Sequence, residues 1–417
     1  MMRTLKVLLM LVAVAVFVSP AAADPAVWTA TGRYTINDSS DGNDVDNVWR
    51  VGNASTAGNV GTATYVSGSM STALGTQQTQ IGKGFVNTTL LTIVRGHGTV
   101  LMQGGDLDIG VPGQHTQIGF NNGTASITQT GGTLSMGVTG KDLYFAGLSS
   151  TGMFPQKTHG LSEAYIQLED GLMVLKGYVW VGAHNYYKDA DPLGINANDP
   201  SGANIGRLTM TGGTLDNSVA SGGNTLFIGQ RGSDSKVEVL GESVARLSNV
   251  GVGSADRIIW LKTDGSSQTM DRFSYGVLKI GKDADVTADN FTMYDNPNAE
   301  LQIEIASLTD FSSIAVSGAV IIGAPSIVGQ DSSDKLSIDL LGYDPQLGDQ
   351  WVIVTAGTSM VADHFSSITS SVPLGPGLAW HATRNYVAKQ LLLQVVPEPA
   401  TLALLGLGGL ALIRRRR

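Results

Sequence analysis

The chain of 417 residues contains no cysteine. That absence excludes a disulfide framework, a thiol nucleophile and thiolate metal ligands. Charge is sparse, at 15% of residues, and its balance is acidic, with 26 Lys+Arg against 35 Asp+Glu. An acidic surface of this kind does not seek nucleic acid. Apolar stripes at helical spacing are missing outside the two ends. The familiar catalytic signatures are missing too: there is no Gly-x-Ser-x-Gly elbow and no His-Glu-x-x-His. The nearest approach to a phosphate loop, Gly75 to Gly84, is too long and carries Gly84 where Ser or Thr belongs. His97, His115, His159, His184, His364 and His381 are scattered, and none has a metal-ligating partner at short spacing.

What the chain has in abundance is glycine, 53 residues, arranged in a pattern. GHGTVLMQGGDLDIG from Gly96, GTASITQTGGTLSMG from Gly123 and GRLTMTGGTLDNS from Gly206 can be laid over one another. Each has an alternating strand, a Gly-Gly corner and a second short strand opening on Leu107, Leu134 or Leu215. YIQLEDGLMVLKG from Tyr165 is a degenerate copy with Asp170-Gly171 at its corner. A second element is an apolar residue followed by glycine: Ile81-Gly82, Ile118-Gly119, Val181-Gly182, Ile228-Gly229, Val252-Gly253 and Ile280-Gly281. Its uneven spacing suggests coils of one basic size with loops inserted on one side.

These features predict an all-β protein built as a right-handed parallel β-helix, or a closely related β-solenoid, over residues 24–300. Coils stacked about 4.8 Å apart place each corner above another, and glycine accepts positive φ there with no Cβ to clash. A β-sandwich or propeller uses the same alternation and the same turns. Near residue 300 the glycine pairs stop and longer strands begin, among them LQIEIASL, DQWVIVTAG and KQLLLQVV. Residues 301–395 therefore read as an antiparallel, sandwich-like β module or a solenoid cap, with Trp351 and Trp380 as its large core residues. A cap has a physical purpose, because an open solenoid end exposes strand edges.

The two ends read as address labels. Arg3 and Lys6, the apolar stretch Val7 to Val18 and the small residues Ala21, Ala22 and Ala23 before Asp24 form the three-part pattern of a secretory signal peptide over residues 1–23. Signal peptidase would cut after Ala23. At the other end, residues 396–417 hold Pro397-Glu398-Pro399, an apolar run from Ala400 to Ile413, and Arg414, Arg415, Arg416 and Arg417. As a helix the run would span about 21 Å, short for a bilayer core of about 30 Å, and the arginines would favour the cytoplasmic side. The prolines are expected to stop any strand or helix from continuing into the run. An ordinary single-span anchor has the same hydropathy.

The tripeptide, apolar run and arginine block together resemble the PEP-CTERM sorting signal of Gram-negative bacteria. The resemblance implies transient membrane insertion through the C-terminal helix and processing by an exosortase-like membrane protease. The glycine-rich repeats are similar to autotransporter β-helical segments. Taken with the signal peptide, this implies an exported, cell-surface or extracellular structural or adhesive protein associated with exopolysaccharide or biofilm matrix.

Two acidic clusters remain. NDSSDGNDVDN presents Asp38, Asp41, Asn43, Asp44 and Asp46, and KDADPLGINANDP presents Asp189, Asp191, Asn196, Asn198 and Asp199. Such oxygens suit calcium, yet Asp and Asn are also ordinary turn formers, and neither cluster has the spacing of a calcium loop. No catalytic residue is assigned. The rival reading is a β-helical polysaccharide lyase or hydrolase, or a glycan-binding module, with Trp180, Tyr186 and Tyr187 as sugar-stacking candidates.

Overall fold

The computed structural model describes residues 34–36, 49–51, 59–65, 69–71, 80–81, 85–87, 92–94, 96–120, 123–147, 162–183, 204–218, 224–230, 233–261, 267–324, 334–362 and 365–398. Every regular element among them is a strand, so the class is all-β. The strands form three tracks, each a ladder of parallel pairs. The first track runs through Asn59–Tyr65, Gly96–Met102, the start of Thr124–Gly147, the start of Glu163–Ala183, Ile205–Met210, Asp234–Val239, Tyr275–Ile280, Ala299–Glu304, Lys335–Asp339 and Ser367–Ser370. The second joins Ser69–Ser71, Asp106–Ile109, Thr214–Asp216, Val244–Val252, Asp285–Tyr294 and Ile314–Val316 through the same long strands. The third joins Gln80–Ile81, Thr116–Phe120, Thr225–Ile228 and Ala319–Ala324. This is a coil that returns to the same three faces, as the repeats predict. Sandwiches and propellers, whose neighbouring strands run antiparallel, are excluded for these three tracks.

Alternation sets which side chains enter the coil. On the first track Val100, Ile127, Ile166, Leu208, Val237, Leu278, Leu301 and Leu336 stack in register and are at most 2% exposed. On the third, Ile118, Phe145, Val181, Ile228, Val252 and Met293 form a matching column. Polar side chains also enter this interior. Gln129 is fully buried in register with Met102 and Leu168, and its Nε2 donates to the carbonyls of Gly132 and Leu172, each at 3.0 Å.

The corners explain the glycine pattern. Gly105, Gly132, Gly171 and Gly213, the second residues of the repeated pairs, stack between the first and second tracks, and all have positive φ between 71° and 92°. A Cβ on Gly171 would lie 2.4 Å from the carbonyl oxygen of Gly132 in the neighbouring coil, which no side chain tolerates. The apolar-glycine element marks a different corner. Gly119, Gly182, Gly229 and Gly253 stack where the third track turns into the next first-track strand, again with positive φ. Ala146 occupies the same column at φ 58°. Ile280-Gly281, grouped with these in the sequence, instead ends the first-track strand Tyr275–Ile280. The hairpins Phe85–Asn87/Thr92–Val94 and Ala255–Leu261/Ser267–Phe273 both emerge between a third-track and a first-track strand, which accounts for the uneven spacing. That corner also carries a buried polar column, Ser162, Asn204, Ser233 and Ser274, in which Asn204 Nδ2 donates to Ala183 O at 2.9 Å and Ser233 Oγ to Gly182 O at 2.8 Å. These side chains satisfy corner carbonyls that the ladders leave over.

The expected division at residue 300 does not coincide with a change of pairing. Parallel register continues from Tyr275–Ile280 to Ala299–Glu304, then to Lys335–Asp339 and Ser367–Ser370. The texture changes there because the corner after Glu304 is longer: the chain loops out, with a bridge between Ile305 and Phe311, before rejoining at Ile314. Past residue 300, antiparallel strand pairing joins the coil's ladders at Gln350–Ala356, and that strand is shared. Its Val354 to Ala356 continue the second track beside Ile314–Val316, while its face toward Gln390–Pro397 pairs antiparallel. The C-terminal module is thus a cap continuous with the coil and not a separate sandwich.

Candidate sorting and processing site

The cap consists of Gln350–Ala356, the central strand Gln390–Pro397 and the edge strand Leu378–Asn385. Leu391, Leu393 and Val395 of the central strand point inward and are at most 2% exposed. Trp351 is buried, as expected, and its Nε1–H donates to Ser307 O at 3.0 Å. Its ring lies edge-on to Tyr343, with centroids 6.0 Å apart, and tilted against Trp380 at 5.8 Å. Trp380 is only partly buried. Its Nε1–H reaches Ser370 Oγ at 3.0 Å and so ties the edge strand to the last rung of the coil. Tyr343 Oη donates to Asp349 Oδ2 at 2.7 Å, and removal from water together with that carboxylate pushes the phenol up to about 12.

The central strand carries the tripeptide onto the fold. Val395 exchanges hydrogen bonds with the loop before Gln350, its N–H donating to Asp349 O and its carbonyl accepting from Gly348 N–H, each at 3.0 Å. Pro397 lies opposite Leu378, and the N–H of Glu398 donates to Gly377 O at 2.8 Å. The pair Gly377 and Glu398 is therefore the hydrogen-bonded one, and Pro397 falls at the adjacent non-hydrogen-bonded site, where its missing donor breaks no bond to the edge strand. On its other side Pro397 lies beyond the last pair with the shared strand, Gln350 opposite Gln394. The strand reaches Pro397 and ends on it, two residues past the division expected between residues 395 and 396. Glu398 is exposed at the rim of a groove of about 730 Å³ between the last rung and the edge strand, lined by Ile368, Leu374, Leu378 and Trp380.

This end of the chain is also what comparison with known families picks out. Residues 395–417 match the PEP-CTERM protein-sorting motif. The motif marks an exported, cell-surface-directed protein that is an exosortase substrate. Its matched span begins inside the cap, at buried Val395. No curated protein matches the chain.

Several expected site residues fall outside the described residues: Ala21, Ala23 and Asp24 of the signal cleavage site, Pro399 and Arg414, Arg415, Arg416 and Arg417 of the tail, and Asp38, Asp41, Asn43, Asp44 and Asp46 of the first acidic cluster. The membrane helix expected over residues 400–413 does too; among the described residues no helix is long and apolar enough to cross a membrane. Tyr186, Tyr187 and the second acidic cluster share that position. Trp180 is described and points outward, between inward Val179 and Val181. It lies stacked on Phe227 at 4.1 Å between centroids and 11° between planes, and its Nε1–H donates to Asp142 Oδ1 at 2.9 Å. A ring stacked in this way has given one face to its neighbour in the next coil.

On the first track, three outward carboxylates are matched by cations: Asp234 with Arg207 at 2.8 Å, Glu238 with Lys236 at 2.9 Å and Glu304 with Lys279 at 3.3 Å. His115 Nδ1 lies 3.0 Å from Asp142 Oδ2. Among the described residues no group of three or more His, Asp or Glu could hold a metal ion. What sequence reasoning missed is the docking of Pro397 and Glu398 on Gly377 and Leu378. The apolar character of QLLLQVVP, running up to the tripeptide, was a local signal of the strand.

Proposed function

We propose that the protein is an exported structural or adhesive component of the cell surface or extracellular matrix. A signal peptide directs its export, the C-terminal segment holds it briefly in the membrane, and an exosortase-like protease then removes the tail. The sorting motif at residues 395–417 carries this reading. The body it delivers is a stack of parallel coils whose outward first-track positions include Thr124, Ser126, Thr128, Gln167 and Thr209. Such a surface suits association with exopolysaccharide or with neighbouring chains through many weak polar contacts, and its Asp234, Glu238 and Glu304 are engaged by arginine and lysine. The reading includes no enzymatic activity and no obligatory cofactor. Calcium at the Asp38 to Asp46 cluster is a subsidiary part, tested by melting Asp41→Asn/Asp44→Asn with and without the ion.

The decisive experiment is a chain ending at Glu398, which leaves the cap strand intact while removing the run and the arginines. It should be exported but lost from the envelope fraction that holds the full-length protein. Identical fractionation of the two forms would overturn the sorting role. A glycan array with a lyase assay on uronate polymers then separates a scaffold from a binder or an enzyme.

A further inference from the structure

The first two residues of the sorting tripeptide, Pro397 and Glu398, are held on the fold. Pro397 is the last residue of a paired strand, and the Glu398 N–H is already engaged by Gly377 O at 2.8 Å. From Glu398 to Ala400, where the apolar run begins, is two residues, roughly 7 Å of extended chain. A protease that binds its substrate as an extended strand uses the same backbone N–H and C=O groups that the edge strand occupies. We infer that the edge strand Leu378–Asn385, with Gly377 before it, is a gate on tail removal: docked Pro397 and Glu398 are the closed form, and the protease acts on chains whose end has peeled away from the cap. The inference rests on the reading that an exosortase-like protease removes the tail.

The geometry favours peeling at this end. The Gly377–Glu398 bond is the outermost of the ladder, the neighbouring Pro397 contributes no donor, and the shared strand Gln350–Ala356 no longer flanks the chain there. Terminal pairs with few neighbours open at far lower cost than the body of a sheet. Gly377 itself sits at φ 77°, a conformation that a β-branched side chain resists, so a substitution there displaces the carbonyl that accepts the Glu398 N–H. Two positions inward, Ala379 lies opposite Val396 in the next hydrogen-bonded pair. Such pairs bring Cα atoms to about 5.5 Å, within disulfide range, and the chain has no other thiol to compete.

The test follows tail removal from the full-length protein in its host by pulse-chase, with intact mass identifying the processed form. Gly377→Val should be processed faster than the wild type, by roughly two- to tenfold, the range that one hydrogen bond carries. The pair Ala379→Cys/Val396→Cys should be processed at least about tenfold more slowly when oxidised and should recover on mild reduction, which separates a locked gate from a damaged motif. Wild-type rates in both variants, or slower processing of Gly377→Val, would overturn the gate while leaving the sorting role standing. A wild-type chain that keeps its tail beside an active protease would overturn the sorting role and the gate with it.

Discussion

The backbone N–H of Glu398 and the carbonyl of Gly377 meet at 2.8 Å, so a residue of the sorting tripeptide closes the edge of the cap. The address label and the fold overlap by the few residues from Val395 to Glu398. Anything that loosens the cap therefore reaches the label, and the indole of Trp380 is a lateral tie in that region.

Trp380→Ala removes a half-buried ring packed against Trp351 and the hydrogen bond to Ser370. The expected loss is about 2 kcal/mol, less than for a fully buried tryptophan. Hydrogen exchange should report it as lost protection of the amides of Leu391 to Val396, with the coil before Lys335 unchanged, because solenoid stability is shared mainly between neighbours.

Ala146 and Gly182 occupy one corner column and should respond in opposite directions. Ala146 has φ 58°, so Ala146→Gly relieves left-handed strain and should raise stability by up to about 1 kcal/mol after the entropic cost of glycine. Gly182→Ala places a Cβ 2.0 Å from Ser235 Oγ and 2.9 Å from Ser233 Cβ, and should destabilise by roughly 2 kcal/mol or more. Denaturant midpoints of the two variants measured side by side decide the matter.

Gln129 is a polar side chain in an apolar column, held by two carbonyls. Gln129→Ala removes both bonds and opens a cavity, for an expected loss of about 3 kcal/mol. Gln129→Met fills the same volume and removes a buried amide, and should cost less than about 1.5 kcal/mol. Equal melting of the two variants would show that the amide bonds matter and the volume does not.

Alkaline pH should loosen the cap through Tyr343. Its phenol is raised to about 12 in the folded chain from an ordinary value of 10, so the native state binds the proton more tightly than the unfolded state. The contribution is fully present below pH 10 and is lost as the pH rises from 10 through about 12. Tyr343→Phe removes the Asp349 hydrogen bond and should abolish this step, read by tryptophan fluorescence of Trp351.

Much of this architecture is legible along the chain. Leu107, Leu134, Met173 and Leu215 open strands after corner glycines in the repeats, and they prove to be one inward column. Alternation and positive φ are local demands, written into a few consecutive residues. The change of texture near residue 300 was equally visible but belongs to a longer corner, since a loop insertion and a domain boundary alter composition in the same way. The similar dipeptides Val252-Gly253 and Ile280-Gly281 end different tracks, because track identity depends on how many residues the preceding corners consumed.

The address at the C-terminus needed no folded neighbour to be read: its tripeptide, apolar run and arginines are contiguous, and so are the alternating strands and glycine corners of the coil. Pairings between distant segments are another matter. That Gln350–Ala356 serves both coil and cap, that Trp351 reaches Ser307, and that Glu398 docks on Gly377 follow from the register in which coils stack. Register is the summed outcome of every corner length and every inward contact before it, and no short stretch of residues contains it.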